Sequence, residues 1–356
     1  MKPEAPPPSA PPPVAPPPVA QAVSNDRLPK AAVLGLGNWG TALGNHLATK
    51  GFDVLGWSIE APVVAGINSE HRNVKFLSQI TLHSSFVATT DLTAALEREL
   101  IVIALPSAAI SAVFPLLHFK PDALIVSAIK GVEGKTLRTP LQCLAESGLK
   151  FSAAIVLSGP SFAKDVVVAR PCGLVAASSD EKAARRVADL FSCEWMKVYT
   201  SSDPLGVELG GIVKNVIALA VGVCDGLQLG DSARAGLITR GLAEMMRLAT
   251  AMGANVRTLS GLSGLGDLVM TATCDASRNR TVGLELGRGK RLPEILRALG
   301  SVAEGVETTP HVVELALRYK VEMPITNNVA RLLAGEVSAP ELVRILMTRP
   351  LRPELG

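Results

Sequence analysis

The sequence predicts an α/β fold in which a doubly wound, mostly parallel sheet is followed by an all-helical second domain. Three observations carry that expectation. A G-x-G-x-x-G stretch, Gly35-Leu36-Gly37-Asn38-Trp39-Gly40, sits between two short apolar runs. Continuous apolar runs then alternate with helical patterns as far as about residue 200. After Ser201-Ser202-Asp203-Pro204 the alternation stops, and Gly206 to Gly226 is apolar on nearly every face, which implies a central buried helix.

A chain of 356 residues exceeds the usual single-domain size. The expected division is a tail over 1–28, a nucleotide-binding domain over 29–203 and a helical domain over 204–356. A hydrophobic share of 48% is ample for a substantial core. With 35 Lys and Arg against 32 Asp and Glu, the net charge is only +3, far from the basic excess of a nucleic-acid scaffold. Aromatics at 4% also argue against base-stacking platforms. Cys143, Cys172, Cys193, Cys224 and Cys274 form no C-x-x-C pair and are odd in number, which fits reduced thiols and a cytoplasmic location. The five histidines show no zinc-ligand spacing, so no metal is expected. The uncharged run Ile101 to Phe119 has about the length of a membrane span. Pro106, Ser107, Ser111 and Pro115 interrupt it, so it reads as a buried strand followed by a helix, and no span is required.

Residues 1–20 hold ten of the 25 prolines, mostly in triplets, so the tail is expected to be extended and disordered. The first strand is Ala31-Ala32-Val33-Leu34, and the Gly-rich turn leads from it into a helix ending at Lys50-Gly51. Each glycine has its own reason. Gly35 allows a tight turn, Gly37 lets backbone approach a pyrophosphate, and Gly40 permits close packing of helix on strand. The helix N-terminus then offers unpaired N–H groups to phosphates. This setting makes the fold Rossmann-like and implies a dinucleotide. The second strand is Asp53–Trp57. The acidic residue that usually takes the ribose hydroxyls, roughly twenty residues past the first glycine, is missing: Ser58 and Ile59 stand there, and Glu60 comes late. NADH and NADPH therefore both remain open.

Further strands are expected at Phe86–Thr89, Leu100–Leu105, Ala123–Ala128, Ala153–Ser158, Gly173–Ala177 and Met196–Thr200. Helices are expected at Leu92–Arg98, Ser107–Leu117 and Thr136–Glu146. In such sheets ligands lie beyond the carboxyl ends of the strands. That singles out Lys130, the one charge in Leu124–Val132, and Ser158-Gly159-Pro160-Ser161-Phe162-Ala163.

Lys214 and Asn215 lie in the middle of the apolar helix. Gly210, Gly211, Ile217 and Ala218 surround Lys214 at helical spacing, so no carboxylate is available locally. A buried, unpaired ammonium would cost several kcal/mol. Lys214 must therefore meet a distant carboxylate, a ligand, or water in a cleft. Desolvation favours the neutral amine, which suits a general base, and Asn215 sets a second polar group beside it. In Gly264-Leu265-Gly266-Asp267, the aspartate is expected either to cap a helix from Leu268 or to partner Lys214. Ser277 as N-cap, with Arg278 and Asn279 in the first turn, would gather donors for one anion.

Taken together in order, these motifs, with Ser277-Arg278-Asn279-Arg280, Glu304-Gly305 and Val321-Glu322-Met323-Pro324-Ile325, resemble the soluble, non-flavin NAD(P)-dependent glycerol-3-phosphate dehydrogenases of bacteria. The likeness runs from about Lys30 to the mid-340s and leaves only the tail outside. It implies reversible reduction of dihydroxyacetone phosphate to sn-glycerol 3-phosphate, feeding glycerophospholipid synthesis. It further implies Lys214 as proton acceptor, with Lys130, Asp267, Ser277, Arg278 and Asn279 lining the substrate and Gly159 and Ser161 nearby. Cofactor contacts implied by the resemblance are Asn38, Trp39, Lys130, Ala163, Arg278, Val302 and Glu304. The expected partner is a small-molecule substrate, with no nucleic acid, and a homodimer is the assembly considered. A ketopantoate-type reductase, sharing the two-domain plan, is the rival within the same class.

Overall fold

The computed structural model describes residues 28–300, 302–351, 353 and 354, so the expected proline-rich tail lies outside the described residues except for Leu28. Eight strands form one sheet: β1 Ala31–Leu34, β2 Val54–Trp57, β3 Phe86–Thr89, β4 Leu100–Ile103, β5 Leu124–Ser127, β6 Ala153–Ser158, β7 Cys172–Ala177 and β8 Met196–Ser201. Their order is β3-β2-β1-β4-β5-β6-β7-β8, and only the β6–β7 pair is antiparallel. The first six follow the order of doubly wound dinucleotide folds.

Continuous apolar runs suit this sheet because both faces are covered. Successive side chains alternate between two cores: Ala31, Val33, Leu100 and Val102 join one, while Ala32, Leu34, Ile101 and Ile103 join the other. Helix α1, Asn38–Thr49, covers the first face with Leu43 and Leu47, both fully buried. Each such leucine stabilises the fold by about 1.5–3 kcal/mol through burial alone. Helices α2 Ala61–Glu70, α3 Leu92–Leu96, α4 Ile110–Val113, α5 Pro140–Glu146, α6 Ala163–Val166 and α7 Glu181–Phe191 complete the wrapping.

Three expected helices are shorter or broken. The stretch expected over Ser107–Leu117 is a 3-10 turn, the single turn α4, and a second 3-10 turn over Phe114–Leu116. Pro115 lacks an N–H and cannot continue an α-helix. The helix expected from Thr136 starts only at Pro140, because a residue before proline is driven out of the helical region. Thr139 accordingly has ψ 159° and caps α5, accepting from Gln142 N. Between Leu92 and Arg98 the helix stops at Leu96.

Beyond Ser201 only helices follow. These are α8 Pro204–Gly226, α9 Asp231–Ala251, α10 Asp267–Thr273, α11 Arg278–Gly287, α12 Leu292–Leu299, α13 Glu304–Arg318, α14 Pro324–Leu333 and α15 Ala339–Met347. Asp203 caps α8 by accepting from Gly206 N at 3.0 Å. Every residue of α8 from Gly206 to Cys224 is buried, with α9, α10, α11, α13 and α14 packed around it. That explains an apolar helix long enough to cross a membrane that lies wholly inside the protein. Gly222 and Gly283 let α8 and α11 cross with backbones touching: a Cβ on Gly283 would stand 2.0 Å from Leu219 O. The crossing brings the first turn of α11 against the middle of α8.

One buried carboxylate links α8 to the sheet half. Glu208 accepts from Leu141 N at 2.9 Å, at the start of α5, and also from the Thr139 side chain. Burial pushes its pKa up to about 7, although these hydrogen bonds oppose the shift. A raised folded pKa means the native state holds a proton that the unfolded chain has released, so this contribution is present at pH 4 and lost as pH rises toward 7. Glu208→Gln is therefore expected to keep Leu141 paired and to flatten the stability profile between pH 4.5 and 7. Glu208→Leu is expected to cost about 1–3 kcal/mol by orphaning that N–H. Urea unfolding across this pH range checks both.

Candidate active site

The Gly-rich turn is built as its residue types require. Gly35 has φ +98°, a conformation side chains resist, and a Cβ on Gly40 would stand 1.9 Å from Gly35 O. Gly37 is the N-cap of α1, and a Cβ there would meet nothing within 4 Å. The backbone is thus bare on the side from which a pyrophosphate would approach the first turn of α1. Trp39 Nε1, buried and without a partner among the described residues, is a donor beside the same turn. These features fit a dinucleotide.

A cleft of about 380 Å³ opens beyond the strand ends, between the sheet and the helical half. Of the residues singled out by sequence, Asn38, Trp39, Lys130, Ser161, Ala163, Lys214, Asn215, Ser277, Arg278, Asn279 and Glu304 line it. Gly35, Gly37, Gly40, Ser58, Gly159, Asp267 and Val302 do not. The three glycines shape the turn beneath it. Ser58 follows β2, one strand beyond β1, and Val302 is on the surface, 44% exposed. Gly159, at φ +143°, has its side-chain position closed off by Gly173 and Leu174.

At the floor of the cleft, one carboxylate serves two lysines. Lys214 Nζ donates to Asp267 Oδ1 at 2.5 Å and to Thr271 Oγ1 at 2.8 Å. Lys130 Nζ, from the end of β5, donates to Asp267 Oδ2 at 2.7 Å. Asp267 is wholly inaccessible, behind the amines rather than against the cleft. It also caps nothing: the N-cap of α10 is Gly266, and Asp267 is the first residue of the helix itself. A π-helical turn over Leu262–Gly266 precedes it and aims its side chain inward at α8.

Burial pushes the Lys214 amine down to about 8, helped by the charge of Lys130 and opposed by Asp267. For Asp267, burial acts upward, but the two ammonium groups outweigh it and hold the carboxyl below the usual carboxylate range. Burial raises Glu304, against the pull of Arg278, Lys130 and Lys214.

The expected convergence of Ser277, Arg278 and Asn279 on one anion is only partly present. Ser277 Oγ caps α11 by accepting from Arg280 N at 3.3 Å. Asn279 Nδ2 donates to Asn215 Oδ1 at 2.9 Å, and its Oδ1 accepts from Gly305 N at 2.9 Å. Asn279 therefore joins α8, α11 and the start of α13. Arg278 and Lys164 both line the cleft and are exposed, and neither makes a side-chain hydrogen bond or ion pair with a described residue, Lys164 lying over the Phe162 ring, so both are available to an anion. Sequence reasoning missed Thr271, although it follows Asp267 by one helical turn and so shares its face. It also missed Leu77 and Met270 on the cleft wall, for which no local signal exists.

A Rossmann-type sheet, a turn suited to pyrophosphate and a depressed lysine in the adjoining cleft define a nicotinamide-dependent oxidoreductase. The chain matches the N-terminal NAD-dependent glycerol-3-phosphate dehydrogenase family model over residues 30–184 and the C-terminal one over 203–344. It belongs to the NAD-dependent glycerol-3-phosphate dehydrogenase family. A glycerol-3-phosphate dehydrogenase [NAD(P)+] of Desulfovibrio desulfuricans is 46% identical over 329 residues, covering 90% of this chain and 98% of the relative. The crystal structure of glycerol-3-phosphate dehydrogenase from Coxiella burnetii matches with TM-score 0.85 and 38% identity, over 90% of this chain and 99% of that one. A ketopantoate reductase of Ralstonia eutropha shares the fold alone, at TM-score 0.55 and 17% identity over 88% of this chain and 99% of that one.

Proposed function

We propose that Lys214 moves the proton in reversible reduction of dihydroxyacetone phosphate to sn-glycerol 3-phosphate, a reaction that feeds glycerophospholipid synthesis. The observation that carries this reading is a buried amine, with a pKa near 8, facing a cleft rather than locked away from it. When bound, the nicotinamide dinucleotide supplies a hydride to the substrate's carbonyl carbon or accepts one from the alcohol carbon. Asn38, Trp39 and Ala163 from the sheet half and Glu304 from the helical half would hold it, with the glycine turn against its pyrophosphate.

In the reductive direction the Lys214 ammonium gives its proton to the substrate oxygen as negative charge develops there. In the oxidative direction the neutral amine removes the hydroxyl proton. Asp267 keeps Nζ aimed and stabilises its charged form, and Thr271 fixes a second direction. Lys130 adds positive charge near the developing oxyanion. Arg278 binds the substrate phosphate and so positions the reacting carbon, while Asn215, Ser161 and Asn279 shape the remaining wall. The cytoplasm, a homodimer, no nucleic-acid partner and a division at Asp203–Pro204 complete the reading.

The test is absorbance at 340 nm with dihydroxyacetone phosphate and either dinucleotide, followed as a function of pH. Reduction requires the ammonium and is expected to fall as pH rises through about 8. Oxidation of glycerol 3-phosphate requires the amine and is expected to rise through the same point. Parallel limbs in the two directions would remove Lys214 from proton transfer.

A further inference from the structure

Strands β6 and β7 run antiparallel with Ser158 opposite Val175, and residues 159–171 connect them. That connection carries Ser161, Phe162, Ala163 and Lys164 to the wall of the cleft and re-enters the sheet at Cys172, the first residue of β7. Cys172 stands beside Met196 in the parallel β7–β8 ladder, and its N–H donates to Trp195 O at 2.9 Å. Cys193, in the turn between α7 and β8, donates its N–H to Met196 O at 2.8 Å. Backbone hydrogen bonds thus tie both cysteines to one dipeptide, Trp195-Met196. Their side chains pack against the same core on one face of the sheet, and both are free, partly exposed thiols. Neither lines the cleft. The other three cysteines lie elsewhere: Cys143 in α5, Cys224 in α8 and Cys274 just after α10.

We propose that Cys172 and Cys193 form a redox modification site, joined by a reversible disulfide under hydrogen peroxide, and that the bond weakens dinucleotide binding by restraining the 159–171 connection. Burial pushes the Cys172 thiol up to about 11, with the charge of nearby Cys193 acting in the same direction. Attack on the peroxide therefore falls to Cys193. Its other neighbour is Lys50, whose Nζ donates to Leu190 O at 2.7 Å and to Ser192 O, and on which the charge of Cys193 also acts. The Cys193 sulfur takes one peroxide oxygen as the O–O bond breaks, giving a sulfenic acid and one water. The Cys172 sulfur then attacks that sulfur, the S–O bond breaks, and a second water leaves with the Cys172 proton. Two thiols are oxidised and one peroxide is reduced. A disulfide brings two Cα atoms to about 4.4–6.8 Å. Cys193, outside any helix or strand, can adjust to that more readily than Cys172 in its ladder. The bond fixes the connection at the point where it re-enters the sheet, so its cleft-lining residues adapt less to a dinucleotide.

The experiment uses the full-length wild type, Cys172→Ser and Cys193→Ser, each treated with hydrogen peroxide and then with an alkylating agent. Digestion without reductant and mass spectrometry are expected to show a peptide linking positions 172 and 193 in the wild type alone, and dithiothreitol should abolish it. Cys172→Ser should instead hold a sulfenic acid at Cys193, trapped by dimedone. Titration calorimetry with NADH and with NADPH should show affinity falling about fivefold or more on oxidation of the wild type, the lower end of typical coupling between sites. Dithiothreitol should restore it, and neither variant should show the fall. Recovery of both cysteines singly alkylated after peroxide overturns the site. A linked peptide with unchanged dinucleotide affinity, or an equal fall in the variants, overturns the restraint. These readouts need no turnover, so they stand or fall separately from the reaction assigned to Lys214.

Discussion

Replacing Lys214 with alanine is expected to lower kcat for dihydroxyacetone phosphate reduction by roughly 10³-fold, within the 10²–10⁴ span of general acid–base catalysis. Lys214 is the amine held by both Asp267 and Thr271. Lys130, the nearest, is directed at the opposite oxygen of Asp267 and comes from a different strand end. The fold should survive, because Asp267 keeps its pairing with Lys130 in the variant. Dinucleotide affinity should change little, since the glycine turn that would hold its pyrophosphate lies between β1 and α1 and includes no part of α8. Lys214→Met retains the apolar stem and separates loss of the amine from loss of packing, so both variants should show the same low kcat. Turnover within a few-fold of wild type in either one would eliminate Lys214 as the proton carrier.

Asp267→Asn is the second large effect, and it acts on stability and chemistry together. The substitution preserves shape but leaves the buried Lys214 ammonium and the partly exposed Lys130 ammonium facing a neutral amide. Breaking a buried pair from one side typically costs about 3–5 kcal/mol, because the remaining charge is uncompensated. Chemical unfolding should report a loss of that order. The kinetic signature is distinct: Asp267 raises the Lys214 pKa, so its removal should move the alkaline fall in reduction rate to lower pH, by at least about one unit. A stability loss with an unmoved pH profile would mean that Asp267 supports the fold but does not tune the amine.

Much of this was legible in the residues because it rests on local rules. A strand, a Gly-rich turn and a helix are contiguous, and the isolation of Lys214 follows from the four residues at helical spacing around it. Asp267 as its distant partner was a plausible match of charges, which the geometry confirms at 2.5 Å. Its rejected role as a helix cap shows where local rules fail, since a π-helical turn shifts the register of the helix start by what no spacing pattern records. The breaks at Pro115 and Pro140 could have been anticipated from proline chemistry and were smoothed over by apolar periodicity. Ser58 and Val302 fall outside the cleft, and Leu77 inside it, because position along a chain does not fix distance across a sheet. Asn73 Nδ2 donates to Thr41 Oγ1 and Leu36 O, 32 and 37 residues away, and no local pattern signals those two partners.

The carboxylate shared by Lys130 and Lys214 has a consequence for how the polypeptide can be cut. One lysine belongs to the portion built from strands and the other to the portion built from helices. A fragment ending near Ser201 would keep Lys130 without its counter-ion and would uncover the surface on which α8 rests. Its complement would begin with the most apolar segment of the chain newly wetted along one side. Neither piece should behave as a soluble module when produced alone, whereas co-production should let them reassociate around that single acid.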